Sequence, residues 1–179
     1  PILSLEGDKL PSSAFNADGS VPTGTTKYEK RGVAVLVPDW NIDKCIQCNQ
    51  CSFVCPHACI RPVLIKAGEQ KPADFATKAA LQANGYEFRM QVSPLDCMGC
   101  GVCADICPVN VKAMANAQKE GLKKADPAQM ALNMVPLANI VDKENANWNF
   151  AQELPEVDKA VTEKMAGVKK SQFNKPLFE

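Results

Sequence analysis

Two cysteine runs of identical spacing restrict what this chain can fold into more than any hydrophobic pattern in it. The first is Cys45-x2-Cys48-x2-Cys51-x3-Cys55-Pro56, and the second is Cys97-x2-Cys100-x2-Cys103-x3-Cys107-Pro108. Eight of the nine cysteines fall in these runs. Cysteines three apart on a tight loop return the chain repeatedly to one small object. The proline after each fourth cysteine has no N–H and starts the chain in a new direction. The fold must therefore be built around two thiol-rich loops.

Several chemistries use cysteine pairs, but few use this spacing twice. A structural zinc site takes four ligands, usually as two separated pairs, and leaves the triplets and their duplication unexplained. A disulfide framework suits neither an odd cysteine count nor two-residue gaps, and no signal peptide opens the sequence. Thiol redox catalysis needs a single C-x-x-C. Bacterial ferredoxins hold cubane [4Fe–4S] clusters with this run, and in two-cluster ferredoxins the fourth cysteine ligates the other cluster. The same assignment here gives one cluster to Cys45, Cys48, Cys51 and Cys107, and the other to Cys97, Cys100, Cys103 and Cys55. The expected cofactors are two [4Fe–4S] clusters, the expected task is electron transfer, and no residue is assigned a catalytic role. The crossing makes metal part of the fold, so losing one cluster should loosen the other site.

Gly99 and Gly101 lie between the cysteines of the second run, where positive φ is expected. Gln47 and Asn49 hold the matching positions of the first, and asparagine tolerates left-handed geometry best among the other residues. Cys59, in Cys55-Pro56-His57-Ala58-Cys59, reads as a buried thiol acting as a small hydrophobe. Its alternative role is a spare ligand for Cys55. His57, the single histidine, has no carboxylate or serine motif to make it a base.

The 179 residues carry 20 basic and 20 acidic side chains, with no basic stripe for nucleic acid and no apolar run of transmembrane length. Each loaded cube adds about −2, so the formal neutrality hides an acidic protein. Reduced cysteines and oxygen-sensitive clusters point to a reducing, anaerobic cytoplasm.

The expected class is α+β: a two-[4Fe–4S] ferredoxin-like core with a pseudo-twofold repeat, an N-terminal wrapping arm and a C-terminal helical extension. Residues 1–32 read as the arm, with a charged patch at Lys27, Glu29, Lys30 and Arg31. Residues 33–112 are the core, with an insertion at about 62–93. A β-run at 33–37 and an alternating strand at 86–92, after an Asn84-Gly85 turn, precede the two cysteine loops. A helical turn is expected after each Cys-Pro. Phe75 to Ala83 is alanine-rich and predicts a helix. Residues 113–179 form the extension, linking toward a following domain. Asp126-Pro127 should open a helix whose face carries Met130, Leu132, Met134 and Val135. Asn147 to Phe150 breaks that pattern, and a last amphipathic helix is expected over 156–168. The start at Pro1 and the apolar end at Phe178-Glu179 read as a piece of something longer.

The flanking segments narrow the class. Gly24-Thr25-Thr26-Lys27-Tyr28-Glu29-Lys30-Arg31-Gly32, Pro38-Asp39-Trp40 and Cys45-Ile46-Gln47-Cys48-Asn49-Gln50-Cys51 resemble the iron–sulfur domain of pyruvate:ferredoxin oxidoreductases. So do Val54-Cys55-Pro56-His57-Ala58, Phe88 to Val92 before Asp96-Cys97, and the closing Ser171-Gln172-Phe173 … Pro176-Leu177-Phe178-Glu179. Cys59 departs from the resemblance, which leads one to expect alanine there. The resemblance implies a homodimeric parent enzyme that oxidatively decarboxylates pyruvate with coenzyme A. Thiamine diphosphate, magnesium and a third [4Fe–4S] cluster would lie outside this segment, in the parent's remaining domains. This chain would hold the medial and distal clusters, passing electrons to ferredoxin or flavodoxin, with no membrane or nucleic-acid partner. The alternative is a stand-alone ferredoxin-like carrier, or a small subunit of a multi-subunit 2-oxoacid oxidoreductase.

Overall fold

The computed structural model describes residues 4–21, 29–165 and 167–174. The chain divides into two compact units, one of residues 1–29 with 176–179 and one of residues 30–175. In the first unit the described backbone has two single 3-10 turns, Gly7–Lys9 and Ser12–Ala14, and no buried side chain within them. Among the described residues no helix is long and apolar enough to cross a membrane.

The second unit is a small α+β structure. Strand β1 (Leu36–Trp40) pairs antiparallel with β5 (Leu132–Pro136), Trp40 opposite Leu132. Strands β2 (Ile60–Lys66), β3 (Lys78–Ala79) and β4 (Tyr86–Val92) form a second antiparallel sheet in the order β2-β4-β3. Pro62 is tolerated because β2 is an edge strand, where a missing N–H costs no ladder bond. Each cysteine loop runs into a five-residue helix, α1 (Gln50–Val54) or α2 (Val102–Ile106). Then come α3 (Pro108–Lys119), α4 (Val141–Glu153), α5 (Lys159–Thr162) and α6 (Gly167–Ser171).

Strand β4 is buried on both faces, which explains its position in the middle of its sheet. Phe88, Met90 and Val92 project into the main core with Ile60, Leu64, Leu132 and the sulfurs of Cys51, Cys103 and Cys107. Each such fully buried large side chain contributes about 1.5–3 kcal/mol. Trp40 and Phe173 meet Phe88 edge-on, at centroid distances of 6.1 and 6.4 Å. The opposite face of β4 carries Arg89 and Gln91, both buried against Glu144 of α4. A second, smaller cluster gathers Ala34, Val37, Cys59 and Cys97.

Several local expectations are corrected. The strand before the first loop is 36–40 rather than 33–37; Val33 and Val35 are exposed. Residues 75–83 form no helix. Alanine's helix preference loses there to backbone bonding from elsewhere: β3 pairs with β4, and Gln47 accepts from Leu81 N and donates to Ala79 O. A helix follows the second Cys-Pro, but only a turn follows the first, because Ser93 N captures Cys59 O at the start of β2. Asp126 does cap, accepting from Ala128 N at 2.9 Å, yet it caps a single 3-10 turn (Pro127–Gln129). The expected apolar helix face at Met130 to Val135 is largely β5, held by pairing with β1. Asn147 to Phe150 lies inside α4 rather than breaking it. Its Asn147 is buried and donates to Asp74 O, and Phe150 stacks edge-on with Phe75 at 4.8 Å. The final helix over 156–168 is two short ones, α5 and α6. Of the charged patch, Lys30 pairs with Asp96; Lys27 and residues 175–179 lie outside the described residues.

Candidate cluster-binding site

The two cysteine loops are built alike, atom by atom. Cys45 N bonds Asn41 O at 3.2 Å, and Cys97 N bonds Ser93 O at 3.2 Å, so each first cysteine opens on the same turn. Two residues on, Gln47 N donates to Cys45 Sγ and Gly99 N to Cys97 Sγ, both at 3.4 Å. The chain then passes through left-handed φ at 47 and 49 (55° and 60°), as at 99 and 101 (71° and 79°). Glycine adopts this region without strain, and Asn49 occupies the position equivalent to Gly101. Gly99 also has no room for more: a Cβ there would stand 2.8 Å from Leu36 O.

These loops surround two separate cavities. One is lined by Cys45, Cys48, Cys51 and Cys107, with Trp40 and Asn49 beside them. The other is lined by Cys55, Cys97, Cys100 and Cys103, with Cys59 as a fifth thiol. All nine cysteines are free thiols, and Cys100 is the most exposed of them. His57 sits exposed at the rim of the second cavity.

Residues the sequence did not single out brace both loops. Lys78 donates to Ile42 O and Cys45 O at 2.7 and 2.6 Å, placing a cation against the first loop. Asn110, buried in the first turn of α3, donates to Ala104 O and Leu132 O and accepts from Ala131 N. It thereby ties α3, the helix that follows Cys107, to β5. Asparagine is a poor helix-interior residue because its side chain competes for backbone groups, and that was the available signal.

Burial is the dominant influence on three of the thiols. It raises Cys51 and Cys107, and pushes Cys103 up to about 12. Hydrogen bonding from Cys59 holds Cys55 down to about 5 and Cys97 to about 7. Buried thiolates in such apolar walls are costly unless a metal carries the compensating charge. Sulfur is also the donor that iron–sulfur clusters use. The two described buried side-chain atoms that lack a partner, Trp40 Nε1 and Asn49 Oδ1, belong to residues lining the first cavity. The residues present fit a [4Fe–4S] group in each cavity.

Residues 44–111 match the family of 4Fe-4S dicluster domains, and residues 1–34 match a domain of unknown function designated EKR. Fold and site thus define a dicluster iron–sulfur protein whose cofactors are two [4Fe–4S] clusters. The whole chain aligns with pyruvate:ferredoxin oxidoreductase of Moorella thermoacetica at 52% identity and with pyruvate-flavodoxin oxidoreductase of Enterobacter agglomerans at 46%. It aligns with the NADP+ pyruvate dehydrogenase of Cryptosporidium parvum at 40%. Over its whole length the chain is similar to one segment of the pyruvate:ferredoxin and pyruvate-flavodoxin oxidoreductases. It spans 14% of the length of the first two relatives and 8% of the third.

Proposed function

We propose that this chain is the electron-transfer segment of a pyruvate:ferredoxin or pyruvate-flavodoxin oxidoreductase. Its parent would be homodimeric and cytoplasmic, would oxidatively decarboxylate pyruvate with coenzyme A, and would hand electrons to ferredoxin or flavodoxin. Thiamine diphosphate, magnesium and a third cluster would belong to its other domains. When bound, the two [4Fe–4S] clusters take up and release one electron at a time. The chain's own residues hold them, exclude water and supply N–H groups to sulfur. Cys45, Cys48, Cys51 and Cys107 would hold one, and Cys97, Cys100, Cys103 and Cys55 the other.

One observation carries this reading: the fourth cysteine of each run lines the cavity of the other run. Crossed ligation keeps the two cavities adjacent, which electron hopping requires. The same exchange in the strands supports a pseudo-twofold repeat. Strand β1, before the first loop, pairs with β5 after the second; β4, before the second, pairs with β2 after the first. Residues 33–112 are then the electron-transfer core, completed by β5 from the segment 113–179; that segment also links to a thiamine-binding domain, and 1–32 is an arm.

Anaerobic iron and sulfide analysis tests the cofactor content, with about eight irons per chain expected from two cubes. Alkylation of the loaded Cys107→Ala protein tests the crossing. Cys45, Cys48 and Cys51 should become reactive while Cys97, Cys100 and Cys103 stay protected. The reverse pattern overturns the ligand assignment.

A further inference from the structure

The second cavity has one thiol more than a cube has corners. Cys59 is 5% exposed, lines that cavity, and lies with its Sγ 3.4 Å from Cys55 Sγ. The backbone is arranged to put it there. Ala58 takes a left-handed φ of 51°, and Ala58 N bonds Cys55 O at 3.3 Å, closing a tight turn between the two cysteines. Ser93 N then fixes Cys59 O at 2.7 Å, where β2 meets the end of β4. An alanine in left-handed geometry is unfavourable by about 1–2 kcal/mol, so the surrounding bonds must hold the turn.

The first cavity has no counterpart. The position equivalent to Cys59 is Val111, half exposed on helix α3. The chain after Cys107 continues as a helix, so its fourth residue on leaves the site. The chain after Cys55 turns back instead, and its fourth residue on stays.

We propose that Cys59 is a reserve ligand of the second site, able to take the corner that Cys55 holds. This rests on the crossed two-cluster reading above. In the exchange the bond from iron to Cys55 Sγ breaks and one to Cys59 Sγ forms. The proton released by Cys59 passes to Cys55 Sγ across the contact between them. No electron changes hands, so neither oxidant nor reductant is needed. The first site, with four thiols, has no such recourse.

The test compares the full chain carrying Cys55→Ala, Cys59→Ala, both, or Cys107→Ala, each reconstituted anaerobically and assayed for iron, sulfide and reduced-state EPR. Cys59→Ala and Cys55→Ala should each keep about eight irons, while the double variant and Cys107→Ala should fall to about four or fewer. A Cys55→Ala protein that loses a cluster, or does not fold, overturns the reserve role, because rescue is what that role predicts. A double variant with all its iron would show that Cys55 holds no corner, and a Cys107→Ala protein with all its iron would show the same for Cys107. Either result would overturn the ligand assignment and the reserve role built on it.

Discussion

Replacing Glu144 should be strongly destabilising, without touching the thiol cavities. Its carboxylate is buried and accepts from Arg89 Nη2 with both oxygens, at 3.0 and 2.8 Å. Gln91 Nε2 donates to the same carboxylate at 2.9 Å and to Glu144 O at 3.2 Å. Arg89 also bonds Gln91 Oε1 at 2.5 Å and Ala76 O at 3.0 Å, so one network joins α4, β4 and the segment before β3. Removing one partner of a buried ion pair leaves an uncompensated charge and costs about 3–5 kcal/mol. Domains of this kind have only about 5–15 kcal/mol to lose. At about 2–4 °C per kcal/mol for a chain of this length, Glu144→Ala should lower the melting temperature by about 6–20 °C. Replacing both partners with apolar groups, Arg89→Met with Glu144→Leu, should recover most of that loss, because no charge is then stranded. Anaerobic thermal melts followed by circular dichroism and by cluster absorbance read both effects. Iron content before heating should be unchanged. A Glu144→Ala melt within about 1 °C of wild type, or a double variant as weak as the single, would refute the stranded-charge argument.

Three further outcomes are expected. Gly99→Ala should lower the melting temperature more than Gly101→Ala. Both have positive φ, but only at 99 does the new Cβ meet backbone, at 2.8 Å from Leu36 O; Gly101→Asn should be milder still, as asparagine accepts that φ. Trp40→Phe should lower one of the two cluster midpoint potentials and leave the other in place in anaerobic voltammetry. Its N–H is buried without a partner beside the first cavity only, and N–H bonds to sulfur set cluster potential; equal shifts in both would sink this. Asp39→Asn should stabilise the protein at neutral pH, since burial, aided by Glu144, raises the Asp39 carboxyl above its ordinary 3.8. A raised acid binds its proton more tightly when folded, so the wild type regains stability as pH falls through that raised value. The variant's advantage should therefore shrink with acidification, and urea midpoints across pH show whether it does.

What could be read from the sequence divides by the distance over which each feature is decided. The cysteine loops were legible because their geometry is local: the spacing, the turn residues at 47, 49, 99 and 101, and the prolines act within a dozen residues. Strand 86–92 was legible because its apolar residues alternate, although its polar face is buried too. The strand at 132–136 was not, because what makes it a strand is β1, almost a hundred residues earlier; alone, its leucine, methionine and valine fit a helix face equally well. The segment 75–83 failed for the same reason, its backbone being claimed by Gln47 and β4. Asn147 misled because a buried asparagine with partners in Asp74 and Glu144 no longer competes with its own helix.

The same division applies inside the site, and there it explains why the two cavities differ although their cysteine runs do not. Spacing specifies where thiols return to one object, but it is silent about what closes each cavity. Around the first, closure comes from Trp40, Asn49 and Leu132, and Lys78 braces its loop from outside; all but Asn49 lie outside the cysteine run. Around the second it comes from the turn at Ala58, where one bond from Ser93 replaces the helix that follows Cys107. Cys59 is the residue on which both levels bear. Its place four residues after Cys55 is visible in the sequence, while its presence at the cavity wall follows from the turn at Ala58 and its bond to Ser93. A thiol in that position on a helix, as at Val111, would stand partly in solvent, and the spacing alone does not distinguish the two.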